Sequence, residues 1–391
     1  MNVLSGLQSE KSAMKAVHAM EYGGREVIRF IRHAPLPLPG PSDLLVRNVF
    51  ASVNFHDTYC RSGLYKNPTW GSGMYRKGIG FTLGLEGAGF IESAPQGSGF
   101  KVGDQVAYIH PHCGSYAEFT AVPSGSATPI PSDIPLQTAA ALLVGGTTAQ
   151  FLVDDAVAPA LEEGDLVVVH AAAGATGNLI LRYAKRRGLR VLATASTLKK
   201  RNMALQAGAD FVCGYDDFEA EVARMVAPAA TAAPPPTSRP PPFLLQDRGA
   251  GGAAAVFDGV GTPTLGPGLR CLRPRGSMVL YGQAGGAPGR VVDPLADLGR
   301  GSLRLTRPTL FDYVNGAGGE RFTLRARAGV VWNLVRNGTF PFPFGEKEAE
   351  GDKKAKAAIS TAVVLPLSQA QEAHRLLESR DSTRGKLLLR L

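Results

Sequence analysis

The run Leu166-Val167-Val168-Val169-His170 constrains the fold more than any other feature of this chain. It follows Gly164-Asp165 and places apolar residues on both faces of an extended segment, so both faces must be covered, as for an inner strand of a parallel sheet. A loop of small residues then leads into a segment from Asn178 to Arg187 that reads as a helix. The alternation continues with strand Arg190–Ala195, helix Lys199–Ala207, strand Asp210–Cys213, strand Ala254–Asp258 and strand Ser277–Tyr281. Upstream, Thr147 to Leu161 is expected to be helical, with Pro159 near its end. Strands alternating with helices imply a doubly wound parallel sheet.

The loop itself reads His170-Ala171-Ala172-Ala173-Gly174-Ala175-Thr176-Gly177. A glycine-rich bend can be purely structural, but one between a buried strand and a helix is the context of a dinucleotide-binding turn. Gly174 would let backbone approach a pyrophosphate, and Gly177 would let the helix pack close to the strand. The free N–H groups at the helix start, here around Ala175 and Thr176, favour anionic phosphates. At the end of the second strand an Asp or Glu would bond the ribose 2′-OH of NAD. This chain instead reads Ala195-Ser196-Thr197, followed by Lys199-Lys200-Arg201. These basic residues could be a solvated helix face, but hydroxyls and cations without a carboxylate suit a 2′-phosphate, so the expected cofactor is NADPH.

The first third is different in kind. Leu44–Val49, Gly89–Ile91 and Gln105–Ile109 read as short strands between Gly, Pro and Asp punctuation, predicting a compact β-rich domain. Two stretches interrupt the pattern: the proline-rich 227–252, expected to be an exposed excursion, and a charged stretch, 346–356, expected to be a surface loop. The formal net charge of +9 comes from scattered residues, with no basic patch interleaved with aromatics, so nucleic acid is a disfavoured partner. Cys60, Cys113, Cys213 and Cys271 form no CxxC pair, which argues against a zinc lobe or a disulfide framework and predicts buried free thiols in a reducing compartment. The first thirteen residues lack a long apolar core, and Leu136–Val153 carries too many Gln and Thr to read as a membrane span, so a cytoplasmic protein is expected.

Several motifs in order resemble the zinc-free quinone oxidoreductases, the zeta-crystallin-like branch of the medium-chain dehydrogenase/reductase superfamily. They are Val53-Asn54-Phe55-His56-Asp57-Thr58-Tyr59-Cys60-Arg61-Ser62-Gly63-Leu64-Tyr65, Gly84-Leu85-Glu86-Gly87-Ala88-Gly89, the Ala171–Gly177 turn, Leu305-Thr306-Arg307-Pro308-Thr309-Leu310, and the closing Glu378-Ser379-Arg380 and Gly385-Lys386. The resemblance implies an α/β chain with a doubly wound Rossmann domain (146–308) inserted in a GroES-like β-rich substrate domain (14–145 and 309–391), after an N-terminal extension (1–13). It implies a homodimer joined through edge strands, and no membrane partner. By position, Lys200, Tyr215 and Arg380 would hold the 2′-phosphate, together with Ser196. Asn54, Thr147, Gly174, Gly177, Tyr281, Gly282, Gln283 and Lys386 would border the rest of the cofactor. Gly259 stands where relatives often have serine. The zinc-bearing cousins have metal ligands where this chain has Asn54 and Leu85, and an amide and an alkyl group cannot replace thiolate and imidazole, so no metal is expected.

Without a metal, the nicotinamide carries the chemistry and the protein supplies position and electrostatics. Asn54, Asp57, Tyr59, Arg61 and Tyr65 are the candidate polar lining for a quinone or conjugated carbonyl substrate. Asp57 and Arg61, four apart, could instead form a structural ion pair on one helical turn. Two other classes remain open: an NADPH-binding protein with little turnover, in a crystallin-like or sensor role, and a moonlighting RNA-binding protein of the kind found among zeta-crystallin relatives.

Overall fold

The computed structural model describes residues 13–65, 80–227, 251–286, 292–341, 362–379 and 385–391. Arg380, the 346–356 stretch and nearly all of the N-terminal extension and the proline-rich insertion lie outside the described residues. The chain divides into two compact units, Met1–Thr147 with Leu310–Leu391, and Thr148–Thr309.

The first unit is β-rich, as the short strand signals predict. It opens with β1 (Ala13–Ala19), β2 (Ile28–Pro35) and β3 (Asp43–Val53), then helix α1 (Phe55–Ser62) and β4 (Phe81–Thr82). Strands β5 (Glu86–Ser93), β6 (Gln105–Ile109), β7 (Phe119–Pro123) and β8 (Ala127–Pro129) precede the long helix α2 (Leu136–Asp154). β1 pairs with β2 and β4 in a three-stranded sheet, while β3 pairs antiparallel with both β5 and β7.

α2 begins eleven residues before the expected Thr147 and ends well before Leu161. Gly146 lies in the helix interior, closely packed: a Cβ there would sit 2.8 Å from Val331 Cγ1. Among the described residues α2 is long and apolar enough to cross a membrane, but most of it is buried inside the fold, as befits a core helix.

The second unit contains β9 (Leu166–Val169), α3 (Ala175–Arg186), β10 (Arg190–Thr194), α4 (Leu198–Gln206), β11 (Phe211–Cys213), α5 (Phe218–Val226), β12 (Ala253–Asp258), α6 (Thr262–Arg270), β13 (Leu272–Leu280) and β14 (Arg304–Thr306). They form one parallel sheet in the order β11-β10-β9-β12-β13-β14. Every residue of β9 is buried, which the unbroken apolar run requires. The order reverses between β9 and β12, and in such sheets a ligand binds beyond the carboxyl ends of the strands at that point.

The remainder of the first unit supplies α7 (Leu324–Arg336), β15 (Val363–Pro366), α8 (Ala370–Glu378) and β16 (Leu387–Arg390). β16 pairs antiparallel with β3, Leu387 opposite Val53, so the last strand completes a seven-stranded sheet begun by the third. Ala370 and Ala373 of α8 pack into the same core as Val53, Cys60 and Leu387.

Candidate active site

The turn after β9 is built as a cradle. Ala171 adopts a left-handed backbone (φ 51°), and its carbonyl accepts a hydrogen bond from Gly174 N at 2.8 Å. Gly174 caps α3 without a side chain, leaving the N–H groups of the first turn outward-facing and without intrahelical acceptors. A Cβ on Gly177 would stand 2.4 Å from Ala171 O, so only glycine permits this helix to start so close to the loop. Gly174, Ala175 and Thr176 are at least partly exposed, whereas Gly177 is buried. This donor set fits a dinucleotide pyrophosphate, by helix dipole and free N–H groups together.

His170, at the end of β9, is fully buried beneath this turn. One ring nitrogen, Nδ1, lies 2.8 Å from Thr194 Oγ1, and the ring meets Phe218 edge-on at 4.6 Å. Burial pulls its pKa down to about 3 from the ordinary 6.5. The folded protein therefore holds this imidazole neutral while the unfolded chain takes up a proton, so its contribution to stability is present above pH 6.5 and is lost as pH falls towards 3. His170→Asn should flatten the acid slope of stability by roughly 1 kcal/mol per pH unit in that window. Urea unfolding of parent and variant across the window checks this, and parallel slopes would refute it.

At the end of β10, Ser196 is exposed and Thr197 caps α4 by accepting from Lys200 N at 3.3 Å. That cap fixes the start of α4 and places Lys200 in its first turn, with no acidic residue in that turn. Tyr215 is half-buried, its ring 6.0 Å from that of His170. Beyond β12 and β13, Gly259 faces the ring of Tyr281. A Cβ there would lie 2.9 Å from the tip of that side chain, so a serine, as relatives often have, would require Tyr281 to shift. Gly282 and Gln283 follow Tyr281 and are half-buried. The carboxylate of Asp258 below them is consumed by Val260 N, Gly261 N and the Thr264 hydroxyl, which fixes the loop.

In the first unit α1 gathers the expected substrate-lining residues. Phe55, Tyr59 and Tyr65 form a half-buried aromatic row, with ring centroids 6.2 Å apart for Phe55–Tyr59 and 5.1 Å apart for Tyr59–Tyr65. Gly63, left-handed at φ 73°, ends the helix and lets Leu64 and Tyr65 bond back to Tyr59 O.

Asp57 and Arg61 depart from the expected ion pair. Asp57 is fully buried, accepting from Leu85 N, Asn54 N and the Tyr116 hydroxyl at 2.8–3.0 Å. Burial raises its pKa to about 6. Arg61 points away to Glu378 (2.5 Å), His374 (3.0 Å) and Gly23 O (3.2 Å). Both residues brace the fold internally, because tertiary partners outcompete the i,i+4 neighbour.

Asn54 and Lys386 also have internal partners. Lys386 Nζ donates to Asn54 Oδ1 (2.6 Å) and Glu86 Oε2 (3.1 Å), and Asn54 Nδ2 donates to the same Glu86 oxygen (3.1 Å). The other Glu86 oxygen accepts from Val144 N of α2 at 2.7 Å. Thr147, expected at the cofactor, is fully buried and its hydroxyl donates back to Leu143 O at 2.6 Å, the usual habit of a threonine inside a helix. Glu86 is the residue that sequence reading missed, and its place in the Gly84–Gly89 motif was the available signal. Zinc does not fit at Asn54 and Leu85: one is an amide engaged at both ends, the other an alkyl chain.

Tertiary folding also brings His56, Cys60 and Cys113 together. Cys60 Sγ lies 3.6 Å from His56 Nδ1 and 3.8 Å from Cys113 Sγ. The Cys113 hydrogen bond, aided by His56, draws the Cys60 thiol down to about 5, while Cys113 is pushed well above its ordinary value. Separately, a cavity of about 340 Å³ near Ile109, Phe311, Val314 and Leu324 is lined by none of the expected site residues.

Residues 175–312 match the family described as zinc-binding dehydrogenase, and residues 40–132 the alcohol dehydrogenase GroES-like domain. Fold and site therefore define a medium-chain dehydrogenase/reductase. The chain is 34% identical over 357 residues to the probable quinone oxidoreductase of Schizosaccharomyces pombe, covering 90% of each. Its fold matches the Escherichia coli quinone oxidoreductase complexed with NADPH, with a TM-score of 0.77 and 28% identity over 96% of this chain and 100% of that one. It also matches a mycobacterial protein complexed with NADPH, with a TM-score of 0.76 and 30% identity over 97% and 100% of the two chains. The chain belongs to the quinone oxidoreductase family and is an oxidoreductase.

Proposed function

We propose that this chain passes hydride from NADPH to a quinone or a related conjugated carbonyl compound, with no zinc taking part. The observation that carries this reading is the end of β10. Opposite the glycine cradle it offers Ser196, the Thr197 cap and Lys200, and no carboxylate that would repel a 2′-phosphate.

When bound, NADPH supplies the hydride from its nicotinamide ring. The turn from Gly174 to Gly177 and the start of α3 would receive the pyrophosphate. Ser196 and Lys200, with Tyr215, would receive the 2′-phosphate, and Gly259, Tyr281, Gly282 and Gln283 would border the remainder. Tyr59 and Tyr65 would stack on a planar acceptor, for which a row of aromatic faces is suited. Asn54, held by Glu86 and Lys386, would present a fixed polar edge. Asp57 and Arg61 serve as positioning residues, holding α1 from beneath. A quinone spreads the charge it gains over its own ring, so no strong acid is required of the protein. The active form in this reading is a cytoplasmic homodimer joined through an edge strand of the parallel sheet, in keeping with four unbridged cysteines.

Steady-state NADPH oxidation with a panel of quinones, enones and aldehydes tests the reading. Turnover with quinones, and a preference for NADPH over NADH, is expected. Lys200→Ala should erode that preference roughly tenfold, the scale of one charge-assisted hydrogen bond. Tight NADPH binding without turnover would instead indicate a sensor, and equal affinity for the two cofactors would remove the assigned role of Lys200. Sedimentation of the purified protein checks the dimer.

A further inference from the structure

We infer that His56, Cys60 and Cys113 form a binding site for one thiophilic divalent cation, with zinc the natural occupant. The site differs from that of the zinc-bearing cousins, which falls at Asn54 and Leu85. Its three donor atoms lie within 4.8 Å of one another, and among the described residues it is the one such cluster.

Two of the three edges of the cluster match a zinc tetrahedron, and the third lies within 4.8 Å. A tetrahedral zinc with bonds of about 2.3 Å to sulfur and about 2.0 Å to nitrogen sets edges of about 3.8 Å between sulfurs and about 3.5 Å from sulfur to nitrogen. The edges found are 3.8 Å for Cys60–Cys113 and 3.6 Å for Cys60–His56. His56 and Cys60, four apart, stand on one face of α1, while Cys113 comes from the loop after β6, so a cation would pin helix to loop. Cys113 holds a left-handed backbone at φ 63°, a conformation rare outside glycine and asparagine, and that turn aims its sulfur at α1.

Asp57, held by Leu85 N, Asn54 N and the Tyr116 hydroxyl, is not among the clustered donor atoms, so water would complete the tetrahedron. Binding exchanges whatever protons the two sulfurs and the imidazole still hold for one aquated Zn²⁺, giving a neutral dithiolate complex and releasing those protons to solvent. Nothing is oxidised or reduced. Two thiolates and an imidazole are soft ligands, so Zn²⁺ and Co²⁺ should bind while Mg²⁺ and Ca²⁺ should not.

The test uses the full-length protein, reduced by a non-thiol phosphine and freed of metal, titrated with Co²⁺ and followed by absorbance. One equivalent should bind with a sulfur-to-cobalt charge-transfer band, which Zn²⁺ should abolish by displacement. Zinc should also raise the melting temperature, because it binds only the folded state. Cys60→Ser and Cys113→Ser should lose the band. His56→Gln should weaken affinity at least tenfold, and Cys213→Ser with Cys271→Ser should change nothing. The proposal is overturned if no band forms in the reduced parent, if the band survives in Cys60→Ser, or if His56→Gln binds as tightly as the parent. It is equally overturned if titratable thiols vanish before metal is added, since Cys60 and Cys113 would then be a disulfide pair. None of these readouts depends on which cofactor or acceptor the protein uses.

Discussion

Lys386→Met will destabilise the β-rich unit by about 3–5 kcal/mol, the cost of leaving a buried charge without its partner. The carboxylate of Glu86 is fully buried and the ammonium of Lys386 nearly so, and they meet at 3.1 Å across three hundred residues of sequence. Among the described residues, removing the cation leaves Glu86 with Val144 N and the Asn54 amide, two dipoles against a full charge. Glu86→Gln alone should cost a similar amount by stranding Lys386. The double variant, Glu86→Gln with Lys386→Met, should regain most of the loss, since the amide still accepts from Val144 N and no charge remains. Urea unfolding of the four proteins, read as a double-mutant cycle, gives the coupling directly. If either single variant costs less than about 1 kcal/mol, the pair is solvated in solution and does not lock the end of β16 to β5.

Gly177→Ala should cost NADPH affinity by two orders of magnitude, or roughly 3 kcal/mol. The added methyl would meet Ala171 O at 2.4 Å, inside any contact that a real Cβ makes, and the obstacle is backbone that cannot swing aside. Either the turn opens or α3 tilts, and in both cases the helix start leaves the place where its N–H groups converge. Gly174→Ala supplies the graded comparison: its Cβ would stand 3.1 Å from the same oxygen, and its φ of −74° suits any residue. It should therefore cost much less in stability, while still obstructing close approach of a phosphate. Calorimetric titration with NADPH and thermal melts of both variants distinguish the two effects. Equal affinity for Gly177→Ala and the parent would show that the turn does not cradle the cofactor.

Much of the second unit is legible in the sequence, because β9 is apolar throughout and each following strand is bounded by glycine or a polar residue. The β9–turn–α3 unit, the acid-free end of β10 and most of the later strands follow from local pattern, whereas α6 and β14 are not legible in it. α2 is misjudged for a physical reason. Its buried residues are spread round the helix, so no amphipathic period marks its start, and Gly146, which packs against Val331, has the low helix propensity of any glycine. The Asp57–Arg61 pairing fails similarly, since spacing along a helix shows which residues are neighbours but not which distant groups compete for them. Arg61 prefers Glu378 and His374, which reach it only after α8 docks beneath α1.

The sequence by itself determined the kind of protein this is: a doubly wound nucleotide-binding unit joined to a β-rich unit, with hydroxyls and a lysine where an acid would select NAD. These features are local, because strand burial, turn geometry and helix capping are settled among residues a few positions apart. Tertiary structure alone decided what the polar residues of the β-rich unit do. Asn54, Glu86 and Lys386 share one buried charge pair, Asp57 holds up Leu85 and Tyr116, and His56 and Cys60 meet Cys113. Each contact joins segments tens to hundreds of residues apart, brought together when β16 pairs with β3 and α1 settles on the sheet. No local pattern encodes them, since burying a charge becomes favourable only once its partner has arrived from elsewhere in the chain.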